Sequence, residues 1–174
     1  MTSTVIICDT DGVLTDGTVY VDSEGRESLR FSKRDGWLLR EAAEAGIEVV
    51  VVTMDPNPAP SRERAVKMGL EHVAVTSAEG KRDLVLERKA TGAMVVYIGD
   101  SPQDLLAMQA ADRAFCPSDA DLKDAGAWMF GAWWYTKDVE DATPTNGLCW
   151  MVGSDGGEGV LHDVLRYLLS EVAP

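Results

Sequence analysis

Apolar residues along this chain gather in short blocks, separated by longer stretches in which they recur at helical spacing. Val5-Ile6-Ile7-Cys8 is an unbroken apolar run that ends at Asp9-Thr10-Asp11-Gly12, as a strand buried on both faces ends at a turn. Ile47 to Thr53, His72 to Val75 and Met94 to Ile98 repeat the pattern, the last closing on Gly99-Asp100. Between these blocks the spacing predicts helices from Asp35 to Ala45, Ser61 to Met68, Lys81 to Ala90 and Pro102 to about Ala111, and a closing helix from Val160 to Val172. Asp35 is placed as an N-cap, with Gly46 and Gly69 just past two of the helix ends. Thr18 to Val21 and Glu27 to Phe31 flank Asp22-Ser23-Glu24-Gly25, whose composition predicts a hairpin turn. Arg113 to Cys116 and Trp128 to Phe130 read as later strands, and the Pro-rich stretch from Asp55 to Pro60 as irregular.

Strand and helix in alternation imply an α/β domain, a Rossmann-like parallel sheet with helices on both faces and its site at the carboxyl ends of the strands. One domain over residues 1–174 is expected, with a hairpin flap at about 18–31 and an insertion at about 132–150, where Trp133, Trp134 and Tyr135 precede a polar stretch. Between Asp11 and Thr53 there is room only for a hairpin and one helix, and between Thr53 and Lys81 only for a helix and a strand, so no cap domain fits.

A chain of 174 residues can build a substantial core without disulfides, and Cys8, Cys116 and Cys149 form no paired pattern. No apolar run approaches the ~20 residues of a membrane span, and the N-terminus lacks the pattern of a signal peptide, so a cytoplasmic protein with no membrane contact is expected. A net charge of −13 argues against nucleic acid as a partner. A small anionic substrate would need a cation in the site.

The chemistry-bearing residues sit at the strand ends. Asp9 and Asp11 leave the first strand two positions apart, so both side chains can point to one side, and Gly12 permits a sharp turn beneath them. Two close carboxylates call for a divalent cation or a shared proton, and either suits phosphoryl transfer. Taken alone, the fragment also fits a solvated loop with a helix cap. Thr53, Lys81 and the cluster from Gly99 to Asp104 fall at the same kind of boundary, although Lys81 in Gly80-Lys81-Arg82-Asp83 also fits a solvated basic pair.

Asp9-Thr10-Asp11-Gly12-Val13-Leu14-Thr15-Asp16-Gly17 resembles the signature of the haloacid-dehalogenase superfamily, and within it the capless 3-deoxy-D-manno-octulosonate 8-phosphate phosphatase group. Phe31-Ser32-Lys33-Arg34-Asp35-Gly36, Gly99-Asp100 with Asp104-Leu105, and Gly156-Gly157-Glu158-Gly159-Val160 extend the likeness over nearly the whole chain except Ala132 to Trp150. The resemblance implies a Mg2+-dependent phosphomonoester hydrolase of phosphorylated sugar acids. It makes Asp9 the nucleophile and Asp11 the general acid and base. It assigns the metal to the Asp9 carboxylate, the Asp11 backbone carbonyl and the Asp100 carboxylate. Thr53, Met54 and Lys81 would bind the phosphoryl group, with Asp104 behind them orienting Lys81 or a metal-bound water.

Two departures stand out. In the octulosonate phosphatases the Thr matching Thr53 is followed by Gly-Arg, whereas Met54-Asp55 stands here. The Asn57-Pro58 loop looks more like relatives tied to nonulosonic acids, and Arg64 or Arg62 could replace the missing arginine or simply be solvated. The site would be open in a capless monomer, and the resemblance implies that a neighbouring subunit closes it in a homotetramer, with Thr18 to Phe31 at subunit contacts and Gly156 to Gly159 near a neighbour's site. A broad-specificity phosphatase and a non-catalytic partner of a sugar-acid cytidylyltransferase are the competing readings.

Overall fold

The computed structural model describes residues 3–122 and 149–172, together with the backbone of 134–135. Its centre is a seven-stranded sheet in which every pairing is parallel. The strands that carry the site are β1 (Thr4–Asp9), β4 (Ile47–Thr53) and β6 (Met94–Ile98), flanked by β5 (Glu71–Ala74), β7 (Arg113–Cys116), β8 (Trp134–Tyr135) and β9 (Cys149–Met151). The spatial order is β5-β4-β1-β6-β7-β9-β8. The chain therefore leaves the central β1 in one direction through β4 and returns to its other side at β6, which opens a crevice at the carboxyl ends of these three strands.

The pleat assigns the core. Ile6, Cys8, Val49 and Val51 face helices α1 (Leu39–Glu44), α2 (Ala59–Met68) and α5 (Val160–Val172). The alternate residues Val5, Ile7, Val50, Val52 and Tyr97 face α3 (Ala78–Ala90) and α4 (Leu105–Ala110). Side chains on both faces are buried, which is why these strands read as continuous apolar runs rather than as alternation.

A separate antiparallel hairpin, β2 (Val19–Val21) and β3 (Glu27–Leu29), leaves the domain after β1. Its turn is tied by Asp22, whose carboxylate accepts from the backbone N–H of Glu24 and of Arg26 and from the Arg26 guanidinium. Val19, Tyr20 and Val21 are all exposed.

Several boundaries differ from expectation. The helix expected from Asp35 is a short 3-10 turn, Arg34–Gly36, followed by α1 only at Leu39. Asp35 does not cap that helix. Its side chain is buried, and its Oδ1 accepts from the backbone N–H of His162 in the first turn of α5. Cys149 and Trp150, expected at the end of an insertion, belong to β9, and Trp134–Tyr135 pairs beside it as the edge strand. The strand expected at Trp128 to Phe130 and the rest of the 132–150 segment lie outside the described residues.

Asp35 carries a pH signature. Burial pushes its carboxyl up to about 6, against the opposing pull of the α5 backbone N–H groups and of Arg64 and Arg34. Its Oδ2 has no hydrogen-bond partner among the described residues. The folded state then binds the proton more tightly than the unfolded chain, so this group's contribution to stability falls as pH rises from about 4 to about 6 and is flat above. Asp35→Asn keeps an acceptor for His162 and removes the buried charge. Urea unfolding should find the variant more stable than the native protein at pH 8, by about 1–3 kcal/mol, with the difference gone near pH 4.

Candidate functional site

The turn after β1 is built to present carboxylates. Residues 10–14 form a single irregular turn in which Gly12 takes φ +76°. A Cβ at Gly12 would run into the Asp100 carboxylate, so glycine lets the loops after β1 and β6 close on each other. Thr10 anchors the turn by donating from its hydroxyl to the Val52 carbonyl at 3.0 Å, across to β4.

The turn is held from outside by the loop that precedes α5. Gly157 donates its N–H to the Val13 carbonyl at 3.0 Å, and a Cβ there would come within 2.7 Å of the Asp16 nitrogen. A Cβ on Gly156 would collide with the Gly12 carbonyl oxygen. Arg30 closes the outer side, reaching Asp16 at 3.0 Å and Glu158 at 2.6 Å. Gly156→Ala should therefore displace the turn that carries Asp11 and, if the turn acts as the resemblance implies, lower kcat/KM by about 10-fold to 100-fold, since shifts near 1 Å in reacting groups cost that much. Steady-state assays beside thermal melts check this, and unchanged kinetics would contradict the packing argument.

Behind the turn lies a buried chain of charges. Lys81 reaches in from the first turn of α3, a helix capped by Ser77, and is itself buried. Its Nζ donates to Asp9 Oδ2 at 2.8 Å and to Asp104 Oδ1 at 2.8 Å. Asp104 is fully buried and accepts further from the Tyr97 hydroxyl at 2.7 Å, from the backbone N–H groups of Asp100 and Ser101, and from the Ser101 hydroxyl.

The titrations follow from this arrangement. Burial, then the Asp104 charge, holds the Asp9 carboxyl well above the usual range against the pull of Lys81. Burial would lower the Lys81 ammonium, but the charges of Asp9 and Asp104 outweigh it and raise it. Burial, followed by Asp104, pushes Asp100 up to about 7. Asp11 is raised by burial and then by Asp55.

Oxygens of Asp9, Asp100 and Asp104 lie within 4.8 Å of one another. An all-carboxylate set suits a hard divalent cation, and the raised titrations of Asp9 and Asp100 are those of acids that such a cation would stabilise as anions. Both oxygens of Asp104 already accept bonds from the protein, so Asp9 and Asp100 are the members with lone pairs to offer. The Asp11 carboxylate stands outside this cluster; the share of the metal that the resemblance gives to Asp11 is its backbone carbonyl.

The cavity over the cluster, about 570 Å³, is lined by Asp9, Asp11, Met54, Asp55, Lys81 and Asp100, with Gly12, Gly17 and Ser101 to Gln103 completing the wall. Thr53, expected to bind the phosphoryl group, is fully buried at the end of β4 and is not among the residues that line this cavity. Its Oγ1 accepts from the Asp55 N–H at 3.0 Å, which leaves the hydroxyl proton to be donated. Arg64 and Arg62 do not join this wall. Arg64 donates to the Ser32 carbonyl at 2.9 Å and lines a separate groove of about 950 Å³ with Trp37, Arg40 and Lys67, while Arg62 is exposed on α2. The larger groove holds none of the carboxylate cluster, so its size does not make it the site.

Sequence reasoning missed Tyr97 and Ser101. Tyr97 is the one hydroxyl in the apolar run Met94 to Ile98, and that exception was the available signal.

No family model matches the chain. It is 32% identical to the 3-deoxy-D-manno-octulosonate 8-phosphate phosphatase KdsC of Haemophilus influenzae over 167 residues, which is 94% of this chain and 81% of that protein. Among solved structures, a hypothetical protein from Xanthomonas campestris matches with a TM-score of 0.75 at 27% identity, over 95% of this chain and 81% of that one. The 3-deoxy-D-manno-octulosonate 8-phosphate phosphatase of Moraxella catarrhalis, solved with magnesium, phosphate and KDO, shares the fold with a TM-score of 0.72 at 24% identity, over 95% of this chain and 85% of that one.

Proposed function

The chain belongs to the 3-deoxy-D-manno-octulosonate 8-phosphate phosphatase family of the haloacid-dehalogenase superfamily, and from that premise we propose a magnesium-dependent hydrolase of phosphorylated sugar acids that works through an aspartyl-phosphate on Asp9. As a member it is a phosphoric monoester hydrolase. The observation that carries the mechanism is the pairing of a buried Asp9 with Lys81 at 2.8 Å, on the wall of a cavity shared with Asp11 and Asp100.

An Asp9 oxygen attacks phosphorus and the bond from phosphorus to the sugar oxygen breaks. Asp11 gives its proton to the departing alkoxide, a role suited to a carboxyl raised by burial and by Asp55. Lys81 spends two of its three N–H bonds on Asp9 and Asp104, which leaves a third for a phosphoryl oxygen alongside the Thr53 hydroxyl and the backbone at Met54. Asp11 then takes a proton from the water that attacks phosphorus, releasing phosphate and restoring Asp9. Magnesium held by Asp9, Asp100 and the Asp11 carbonyl would supply positive charge to the phosphoryl oxygens.

The sugar-acid substrate, of octulosonate or nonulosonate type, rests on the relatives' activity. Among the described residues of the cavity wall Lys81 is the one cation, facing Asp9, Asp11, Asp55 and Asp100. A second cation for a substrate carboxylate would lie outside this described wall, and a neighbouring subunit is the source we favour. The exposed Val19, Tyr20 and Val21 offer an apolar surface for such assembly, and a homotetramer joined through the hairpin is the arrangement we favour. Among the described residues no helix is long and apolar enough to cross a membrane; the cytoplasm is the location we favour.

Phosphate release with magnesium from a panel of sugar-acid phosphates and simple phosphomonoesters tests this. Selective turnover of one sugar-acid phosphate is expected. Weak release from every compound would replace the assignment with a broad-specificity phosphatase, and none from any would favour a non-catalytic partner of a cytidylyltransferase.

A further inference from the structure

We propose that Tyr97 is a positioning residue for catalysis, acting through Asp104 to hold Lys81 against Asp9; the inference rests on the phosphatase reading of the site. Tyr97 sits in the middle of β6, paired in register with Ile7 of β1 and Ala114 of β7, and is wholly buried. Its neighbours in the same packing layer are apolar, among them Leu84, Val85, Ala107 and Met108. A phenylalanine would fill such a layer equally well. The hydroxyl is a cost there unless it finds a partner, and its partner is Asp104 Oδ1, at 2.7 Å.

Asp104 is held from two sides. Its Oδ2 takes three donors from the start of the 3-10 turn after β6, namely the backbone N–H groups of Asp100 and Ser101 at 3.2 and 3.1 Å and the Ser101 hydroxyl at 3.0 Å. These fix one end of the carboxylate but leave rotation about it. Oδ1 has two donors, Tyr97 and Lys81. Tyr97 belongs to the rigid centre of the sheet, whereas Lys81 is a long chain with several torsions, so the phenol sets where Oδ1 lies and Oδ1 sets where the ammonium lies.

The ammonium is shared between Asp104 and Asp9 at equal distances of 2.8 Å. Part of the Oδ1 electron density is engaged by Tyr97, which weakens the competition of Asp104 for the ammonium. Removing the phenol leaves Lys81 as the sole donor to Oδ1 among the described residues and draws it toward Asp104, away from Asp9 and the phosphoryl oxygens that gather charge in the transition state.

Tyr97→Phe changes no packing volume and removes one hydrogen bond to a charged group. The expected result is a kcat lowered about tenfold through the displaced ammonium, with KM within about threefold and a melting temperature lowered by several degrees, because the buried Asp104 loses a donor. The same substitution in an Asp104→Asn background should cost little further, because both changes act through one carboxylate. Parallel assays of the native enzyme separate the two readings: no native turnover sinks the phosphatase assignment and this inference with it. Native turnover with Tyr97→Phe unchanged in kcat, or with an equal loss in the Asp104→Asn background, overturns the positioning role alone. A variant that melts far below native while kcat per folded molecule is kept would likewise reduce Tyr97 to a packing residue.

Discussion

Asp9→Asn should abolish phosphate release, by at least about 10³-fold in kcat, while the protein stays folded. Asparagine matches the shape of the side chain and can still lie beside Lys81, but its amide is no nucleophile toward phosphorus. Stability should move little and can rise. In the native protein Asp9 is held well above its usual titration range by burial and then by the Asp104 charge, so neutralising it removes a repulsion as well as an ion pair. Circular-dichroism melts with activity assays on one preparation check both halves. A variant that kept even a tenth of native turnover would mean that a water, and not Asp9, attacks the substrate.

Lys81→Met should differ in its effect on stability, with both activity and stability falling. Methionine fills the space, but it leaves the carboxylates of Asp9 and Asp104, each now 2.8 Å from one ammonium, buried with no cation between them. Removing one partner of a buried ionic cluster costs about 3–5 kcal/mol. The penalty should shrink as pH falls, because two like charges raise the affinity of the pair for a proton and the folded state then binds it more tightly than the unfolded chain. Urea unfolding at pH 7.5 and pH 5.5 measures this. Equal destabilisation at both pH values would mean that lost packing, and not the unpaired carboxylates, dominates.

These contrasts bear on what could be read from the amino-acid order. Three strands of the sheet, ending at Asp9, Thr53 and Ile98, were legible because a strand buried on both faces leaves an unmistakable apolar run with polar residues at its mouth. That is also why Asp9 and Asp100 could be placed in one crevice from the sequence, whereas Lys81 was placed by its position at the start of the intervening helix. Helix starts were harder. Asp35 has the composition of an N-cap for the residues after it, yet it binds the start of α5, more than 120 residues away in sequence; local chemistry gives no hint of a distant partner. Ser77, three residues after the end of β5, caps α3 earlier than the apolar spacing suggests. Strand β9 is only three residues long and emerges from a stretch with no periodicity to read.

The site's second layer was legible only in part. Asp104 could be suspected as a partner of Lys81 from its place after Gly99-Asp100, but its five donors come from three separate segments. Gly156 and Gly157 look like turn residues in the sequence. Their actual constraint is the lack of room against the turn after β1, a tertiary fact. Arg64 shows the reverse error, since an arginine at the right offset in a helix points to Ser32 and a different groove.

The central claim is that a phosphoryl group passes through Asp9. Acid quenching of enzyme mixed with excess substrate, followed by borohydride reduction and peptide mass spectrometry, tests it most directly, because an acyl phosphate is reduced to the alcohol while a free carboxylate is not. The account predicts homoserine at position 9, formed only in the presence of substrate and magnesium. An unmodified Asp9 in an enzyme that is turning over, or reduction at Asp11 or Asp100 instead, would contradict it.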